Sequence, residues 1–199
     1  MKRLTVADMK RANVPSRFWN VRLSAIPEHL EYKQKVSSYL AKLDEMLSAG
    51  IGLFLWSDEN STGKTSIAVL VLKQALRLRR TAYFEESGRL KAALIRAEEF
   101  EENVPIERRI RMVNVLVLDD VGKEYRTESG FAENVIESVL RDRSQNLKTT
   151  ILTSNIRPNR IETVYSADLA ALLREMMIPI KVSGYDWRAV KAEELRQML

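Results

Sequence analysis

Five short apolar runs, each ending in polar residues, constrain this chain more than any other feature. They are Gly52–Trp56, Thr81–Phe84, Val115–Leu118, Thr149–Thr153 and Ile178–Val182. Runs of this length bounded by turn formers read as buried strands, because a helix needs about 10–12 residues. Helical patterns fall between them, over 64–80, about 88–102 and about 129–145. Buried strands alternating with helices predict parallel strands joined by right-handed crossovers, hence a three-layer α/β domain with a central parallel sheet. Ligands on such sheets sit at the carboxyl ends of the strands. The runs end there in Ser57-Asp58, Asp119-Asp120, Ser154-Asn155 and Ser183-Gly184.

Ahead of the first run, an amphipathic helix is predicted over 28–48, ended by Ala49-Gly50, and residues 1–27 read as an irregular basic lead-in. The division expected is therefore a lead-in, 1–27, and one domain, 28–199. No repeat and no Gly/Ser- or Pro-rich linker is present, with only 7 Gly and 5 Pro.

Ser57-Asp-Glu-Asn-Ser-Thr-Gly63-Lys64-Thr65 lies between the first strand and a helix. A phosphate-cradling loop needs inward backbone N–H groups, a lysine for the β/γ oxygens and a hydroxyl for Mg²⁺. Ser61, Thr62, Gly63, Lys64, Thr65 and Ser66 are the expected nucleotide contacts, and Thr65 an expected metal ligand. The strict pattern has glycine where this chain has Asp58, and Ser61 stands at another position commonly glycine. A carboxylate there repels phosphate, and a side chain restricts the loop. Gly-Lys-Thr alone is a weak signal, but fifty-five residues after Lys64 the third strand ends in Asp119-Asp120. In that position the first acid, Asp119, serves Mg²⁺, and the second, Asp120, acts as base toward the attacking water. Thirty-five residues later Asn155 stands where a polar group senses the γ-phosphate or the water. The bland alternatives are a helix-capping turn at Asp119-Asp120 and turn formers at Gly63 and Asn155. Coincidence of all three at strand ends favours nucleotide chemistry.

Composition narrows the choices. The chain has no cysteine and one histidine, His29, so thiolate chemistry, Cys-based zinc and His-cluster metal sites are excluded. The longest purely apolar run is six residues, Ile67–Leu72, and Met1-Lys-Arg3 leads to Asp8, Lys10 and Arg11, so neither a membrane span nor a secretory leader is expected, and the reading is cytoplasmic. The net charge of +5 is modest but clustered in residues 1–24, in Lys73–Arg80 and at Arg108, Arg109 and Arg111. Each cluster is a candidate for nucleic acid or a plain solvated face. Trp56 reads as core, Phe18-Trp19 as a staple or a cover for adenine, and Trp187 as packing or a base platform.

These pieces together resemble the AAA+ ATPase domain of DnaC/DnaI-type helicase loaders and the related IstB-type transposition helpers. The likeness rests on Val14-Pro-Ser-Arg-Phe-Trp19, the Gly-Lys-Thr loop and Val-Leu-Asp119-Asp120-Val-Gly122-Lys-Glu124. Ile151-Leu-Thr-Ser-Asn155 and Pro179-Ile-Lys-Val-Ser-Gly184-Tyr-Asp-Trp-Arg188 complete it, so that it spans about 12–190. It implies a P-loop (AAA+/RecA-like) ATPase that lacks a full C-terminal lid, uses ATP and Mg²⁺, assembles as a homo-oligomer when ATP-bound, and acts on single-stranded DNA and a replicative DNA helicase. It also implies Arg188 as a closing arginine toward phosphate. The family's arginine finger begins an Arg-x-Arg pair that here is Leu172-Leu-Arg174, leaving Arg174 as the finger or a surface arginine. The basic lead-in, or another surface, would then carry helicase docking in place of a separate domain. Two alternatives stay open: a nucleotide-dependent adaptor with little hydrolysis, which the degenerate loop favours, and a transposition helper on duplex DNA.

Overall fold

The computed structural model describes residues 2–100, 105–122, 131–163 and 165–197. Five parallel strands form one sheet, β1 (Gly52–Trp56), β2 (Ala82–Glu86), β3 (Val115–Val121), β4 (Thr149–Ser154) and β5 (Met177–Lys181), in the order β2-β3-β4-β1-β5. β1 to β4 formed because their residues are almost all buried, as a helix-covered parallel sheet requires, whereas the edge strand β5 buries only Met177 and Ile180. β3 runs three residues beyond the expected Val115–Leu118, so both carboxylates belong to the strand. Its register with β4 shifts between Leu118 and Val121, and Asp120 takes φ +63°.

One layer consists of α2 (Glu31–Ala41), α3 (Leu43–Ser48) and α4 (Lys64–Arg77), packed on Leu53, Leu55, Val117, Ile151 and Ile180. The other holds α5 (Ser87–Phe100), α6 (Pro105–Met112), α7 (Phe131–Gln145) and α8 (Ala167–Met176), over Phe54, Leu116, Leu118 and Leu152. α9 (Trp187–Arg196) is the one described helix after β5. The single helix expected over 28–48 is two helices, broken at Lys42 (φ −105°).

The lead-in is not irregular. Thr5 caps a short helix, α1 (Val6–Arg11), and shares a capping box with Asp8. Met9, Ala12, Val14 and Ile26 are buried in the first layer's core. The Ala12 carbonyl accepts from Phe84 N–H at 2.9 Å, and Asn13 Nδ2 donates to the Phe84 carbonyl at 2.9 Å. Residues 12–13 thereby satisfy the outer edge of β2, which would otherwise be a template for stray pairing. The signal that periodicity missed was the Thr5-x-x-Asp8 box.

Arg143 is fully buried and anchors the amino ends of β3 and β4. Its guanidinium donates to Thr150 Oγ1 and to the carbonyls of Ile110, Val113, Asn114 and Thr149. Burial lowers its pKa to about 9, and the five acceptors replace the water it lost. Among the described residues no helix is long and apolar enough to cross a membrane.

Candidate nucleotide site

The loop between β1 and α4 sits at the carboxyl edge of the sheet. Gly63, at φ +96°, turns the chain into α4, a conformation that penalises any Cβ. Space forbids one too: a Cβ would lie 2.7 Å from Trp187 Nε1. Ser61 adopts φ +63°, so the position commonly glycine does carry a left-handed backbone, and serine holds it under strain. Ser66 follows Lys64 and Thr65 in the first turn of α4.

Lys64 is buried and turned back onto its own loop. Its ammonium donates to the Glu59 carbonyl at 3.0 Å and reaches Thr62 Oγ1 at 3.5 Å. Asn155, at the end of β4, donates from Nδ2 to Asn60 Oδ1 at 3.2 Å. Its own Oδ1 is buried without a hydrogen-bond partner.

The repulsion expected from Asp58 is answered by a residue that sequence reasoning missed. Arg157 grips the Asp58 carboxylate with two bonds, 2.9 and 3.0 Å, and Lys181 Nζ lies 4.0 Å away. The Arg157 hydrogen bond holds the Asp58 carboxyl below the usual carboxylate range. Both cations also stand over the Trp56 ring, at 6.0 and 5.4 Å. Trp56 is accordingly half-buried at the strand end rather than deep in the core. A bidentate pair needs Arg157 within reach of Asp58, and only the β1–β4 pairing reveals that.

Asp119 is 8% exposed, and its two oxygens are held separately. Thr153 Oγ1 donates to Oδ1 at 2.6 Å, and Thr65 Oγ1 to Oδ2 at 3.2 Å. Thr153 also accepts the Asp120 N–H at 2.8 Å, so one hydroxyl positions both acids. Ser154 Oγ donates to the Val121 carbonyl at 2.7 Å, closing the register shift. Burial raises the Asp119 pKa, with Asp120 and Glu86 adding to the rise against the two hydroxyl bonds. Thr153 was the missed residue on this side. Its signal was a threonine on a strand buried throughout, where every polar group needs a partner.

No Lys or Arg among the described residues pairs with Asp119. A buried carboxylate and a hydroxyl form the hard oxygen set that Mg²⁺ takes, so Thr65 and Asp119 fit that ion. No group of three or more His, Asp or Glu suited to a metal occurs among the described residues.

The remaining candidates divide. Trp187 N–H donates to the Ser61 carbonyl at 3.0 Å, which puts the first turn of α9, and with it the exposed Arg188, beside the loop. Arg174 is elsewhere. It lies in the last turn of α8, just before Met177, and Met177 pairs with Gly52 at the start of β1. The loop leaves the other end of that strand, about 13 Å away at ~3.3 Å per residue. Arg174 is exposed at the mouth of a cavity of about 70 Å³ lined by Phe54, Ile161 and Leu173, and Leu172 packs on the second core. Trp19 lies along α4, its backbone carbonyl taken by Lys73 Nζ at 2.6 Å, in the stapling position. Lys123 and Glu124 of the carboxylate motif lie outside the described residues.

The sheet order and the loop-to-helix cradle define the P-loop NTPase fold of the AAA+ class. Within that class the chain shares its fold with solved structures of helicase loaders and of a replication initiator. It is similar to the crystal structure of the DnaC helicase loader, with TM-score 0.74, 20% identity, and 85% of this chain and 100% of that one covered. DnaI gives TM-score 0.72 at 20% identity, over 87% and 93% of the two chains. The replication initiator DnaA bound to AMPPCP and single-stranded DNA gives 0.68 at 15% identity, covering 90% of this chain and 55% of that one. No family model and no curated protein matches the sequence.

Proposed function

We propose that this chain is an ATPase of the helicase-loader type, which binds Mg-ATP and single-stranded DNA and acts on a replicative helicase. The observation that carries the reading is Asp119, buried beside Thr65 with Asp120 next to it and, among the described residues, no Lys or Arg paired with it. In it, Lys64 and the loop amides take the phosphates, and Thr65 and Asp119 hold Mg²⁺. The ion would supply charge neutralisation at the β/γ oxygens. Asp120 accepts the proton of the attacking water, and Asn155, whose Oδ1 lacks a partner, orients that water. Arg188 closes on the phosphates from α9.

Arg174 stands at the opposite end of the sheet from its own loop, so it is either a surface arginine or, as the loader reading requires, a finger for the site of a neighbouring copy. Assembly on ATP follows from that role. The test is ATP turnover with and without single-stranded DNA, together with sedimentation in ATP and co-purification with the host replicative helicase. A protein that stays monomeric in ATP, ignores single-stranded DNA at low salt and retains no helicase defeats the reading.

A second reading, an adaptor that uses ATP as a switch with little hydrolysis, is favoured by Lys64 bonded to Glu59 and by Ser61 at φ +63°. ATP binding without detectable turnover under any of those conditions selects it.

A further inference from the structure

The outer face of α4, away from the nucleotide loop, forms one wall of a second cavity. The opposite wall is the segment 19–23, and the volume is about 270 Å³, far above the ~10–15 Å³ that one water needs. Three cations line it, Arg22, Lys73 and Arg77, and no Asp or Glu does. Among the described residues none of the three pairs with a carboxylate. Arg77 bonds only to a neutral acceptor, Gln74 Oε1 at 3.1 Å, and Arg22 is exposed at the rim.

Lys73 is the informative member. It is 8% exposed and fixed by two carbonyls, Trp19 at 2.6 Å and Val21 at 2.9 Å. Its ammonium has three protons, so two bonds leave one donor. Burial lowers its pKa first, and the proximity of Arg77 and Arg22 lowers it further. A folded protein holding three like charges around a polar cavity stores repulsion that an anion relieves. Trp19 and Leu70 supply an apolar wall beside the charges.

We propose that this cavity is a phosphate-binding site. Lys73 is the fixed donor, and Arg22 and Arg77 close on the anion from the rim with planar, multidentate donors. Lys73 is nine residues from Lys64 along α4, about 13 Å at 1.5 Å per residue, so this is not the nucleotide loop. A phosphate of a single-stranded nucleic-acid backbone and a free polyphosphate present the same chemistry. The first source rests on the DNA-binding part of the function proposed above, and the second does not.

The test titrates the full chain with fluorescent oligothymidylate over a series of salt concentrations. Wild type is compared with Arg22→Gln/Arg77→Gln, and with Arg108→Gln/Arg109→Gln on α6 as a control of equal charge. The cavity variant loses at least about tenfold in affinity at low salt, and its salt slope falls by about 0.7, the share of the one phosphate that the cavity holds. The control loses less. Equal losses in the two variants, or none in the cavity variant, overturn the site while leaving DNA binding intact. Where wild type ignores DNA, the DNA reading fails and pyrophosphate decides, measured by phosphorus NMR in a Lys64→Ala background. Binding abolished by adding Arg22→Gln/Arg77→Gln supports a free-anion site; absence of binding overturns it. Should the double variant not fold, Arg22→Gln alone, at an exposed position, is expected to weaken binding in the same direction, with the slope falling by no more than about 0.7.

Discussion

The carboxylate half of the nucleotide site and its phosphate half are built on different plans. On β3 and β4, Asp119 and Asp120 are braced by hydroxyls of the fold itself, with Thr65 and Thr153 already aimed at them. Between β1 and α4 the polar groups of the loop are engaged within the protein: Lys64 with the Glu59 carbonyl, Asn60 with Asn155 and Asp58 with Arg157. The first half needs little rearrangement to receive a metal, whereas the second must exchange internal bonds for ligand bonds. Under the proposed function, preorganisation at one side and exchange at the other divide the chemical step from the binding step.

The strongest way to break that contrast is Asp120→Asn. A neutral amide cannot take the water's proton, so turnover falls by about 10²–10⁴-fold while ATP affinity is kept, read by steady-state hydrolysis beside analogue titration. A parallel loss of affinity would mean that the carboxylate half also governs binding. Next is Lys64→Ala, which removes the one lysine of the loop. It weakens ATP by at least about tenfold, or ~1.4 kcal/mol, in a fluorescent-analogue titration. Unchanged affinity dismisses the P-loop assignment.

Thr153→Val sharpens the contrast from the structural side. It leaves the Asp120 N–H without its acceptor and Asp119 Oδ1 without its donor, at a cost of about 1–3 kcal/mol in denaturant unfolding. Asp119→Asn, by comparison, keeps the fold and loses Mg²⁺-dependent nucleotide binding. The smallest effect belongs to Ser61→Gly, which releases a left-handed strain of ~1–2 kcal/mol and tightens ATP by no more than about that amount. Weaker binding from this change would show that the serine hydroxyl contacts the ligand.

The same contrast explains what the sequence disclosed. Strands β1 to β5, the Gly63-Lys64-Thr65 turn and the Asp119-Asp120 strand end were legible because burial and turn chemistry are local. Asn155 was legible from its position at a strand end. The partners were not, because Arg157 meets Asp58 and Thr153 meets Asp119 only through sheet pairing. Ser61 shows the limit from the other direction: the departure from glycine was visible, while the retained φ was not. α1 escaped because it has six residues, too few for a period, and α6 because its charges outnumber its apolar positions. The lead-in, read as irregular and basic, instead buries Met9, Ala12 and Val14, so removing residues 1–24 would strip core as well as charge.

Trp187 was legible only as an aromatic of uncertain use, yet its indole nitrogen stands 2.7 Å from where a Gly63 Cβ would be, and its amide holds the Ser61 carbonyl. The loop and the start of α9 therefore cannot be displaced independently. Any ligand that reshapes the loop does work on α9, and anything that clasps α9 alters the loop's affinity by the same factor in return. This helix thus gives the nucleotide state an outward-facing handle, and Trp187 itself would signal the pull as a change in its own emission.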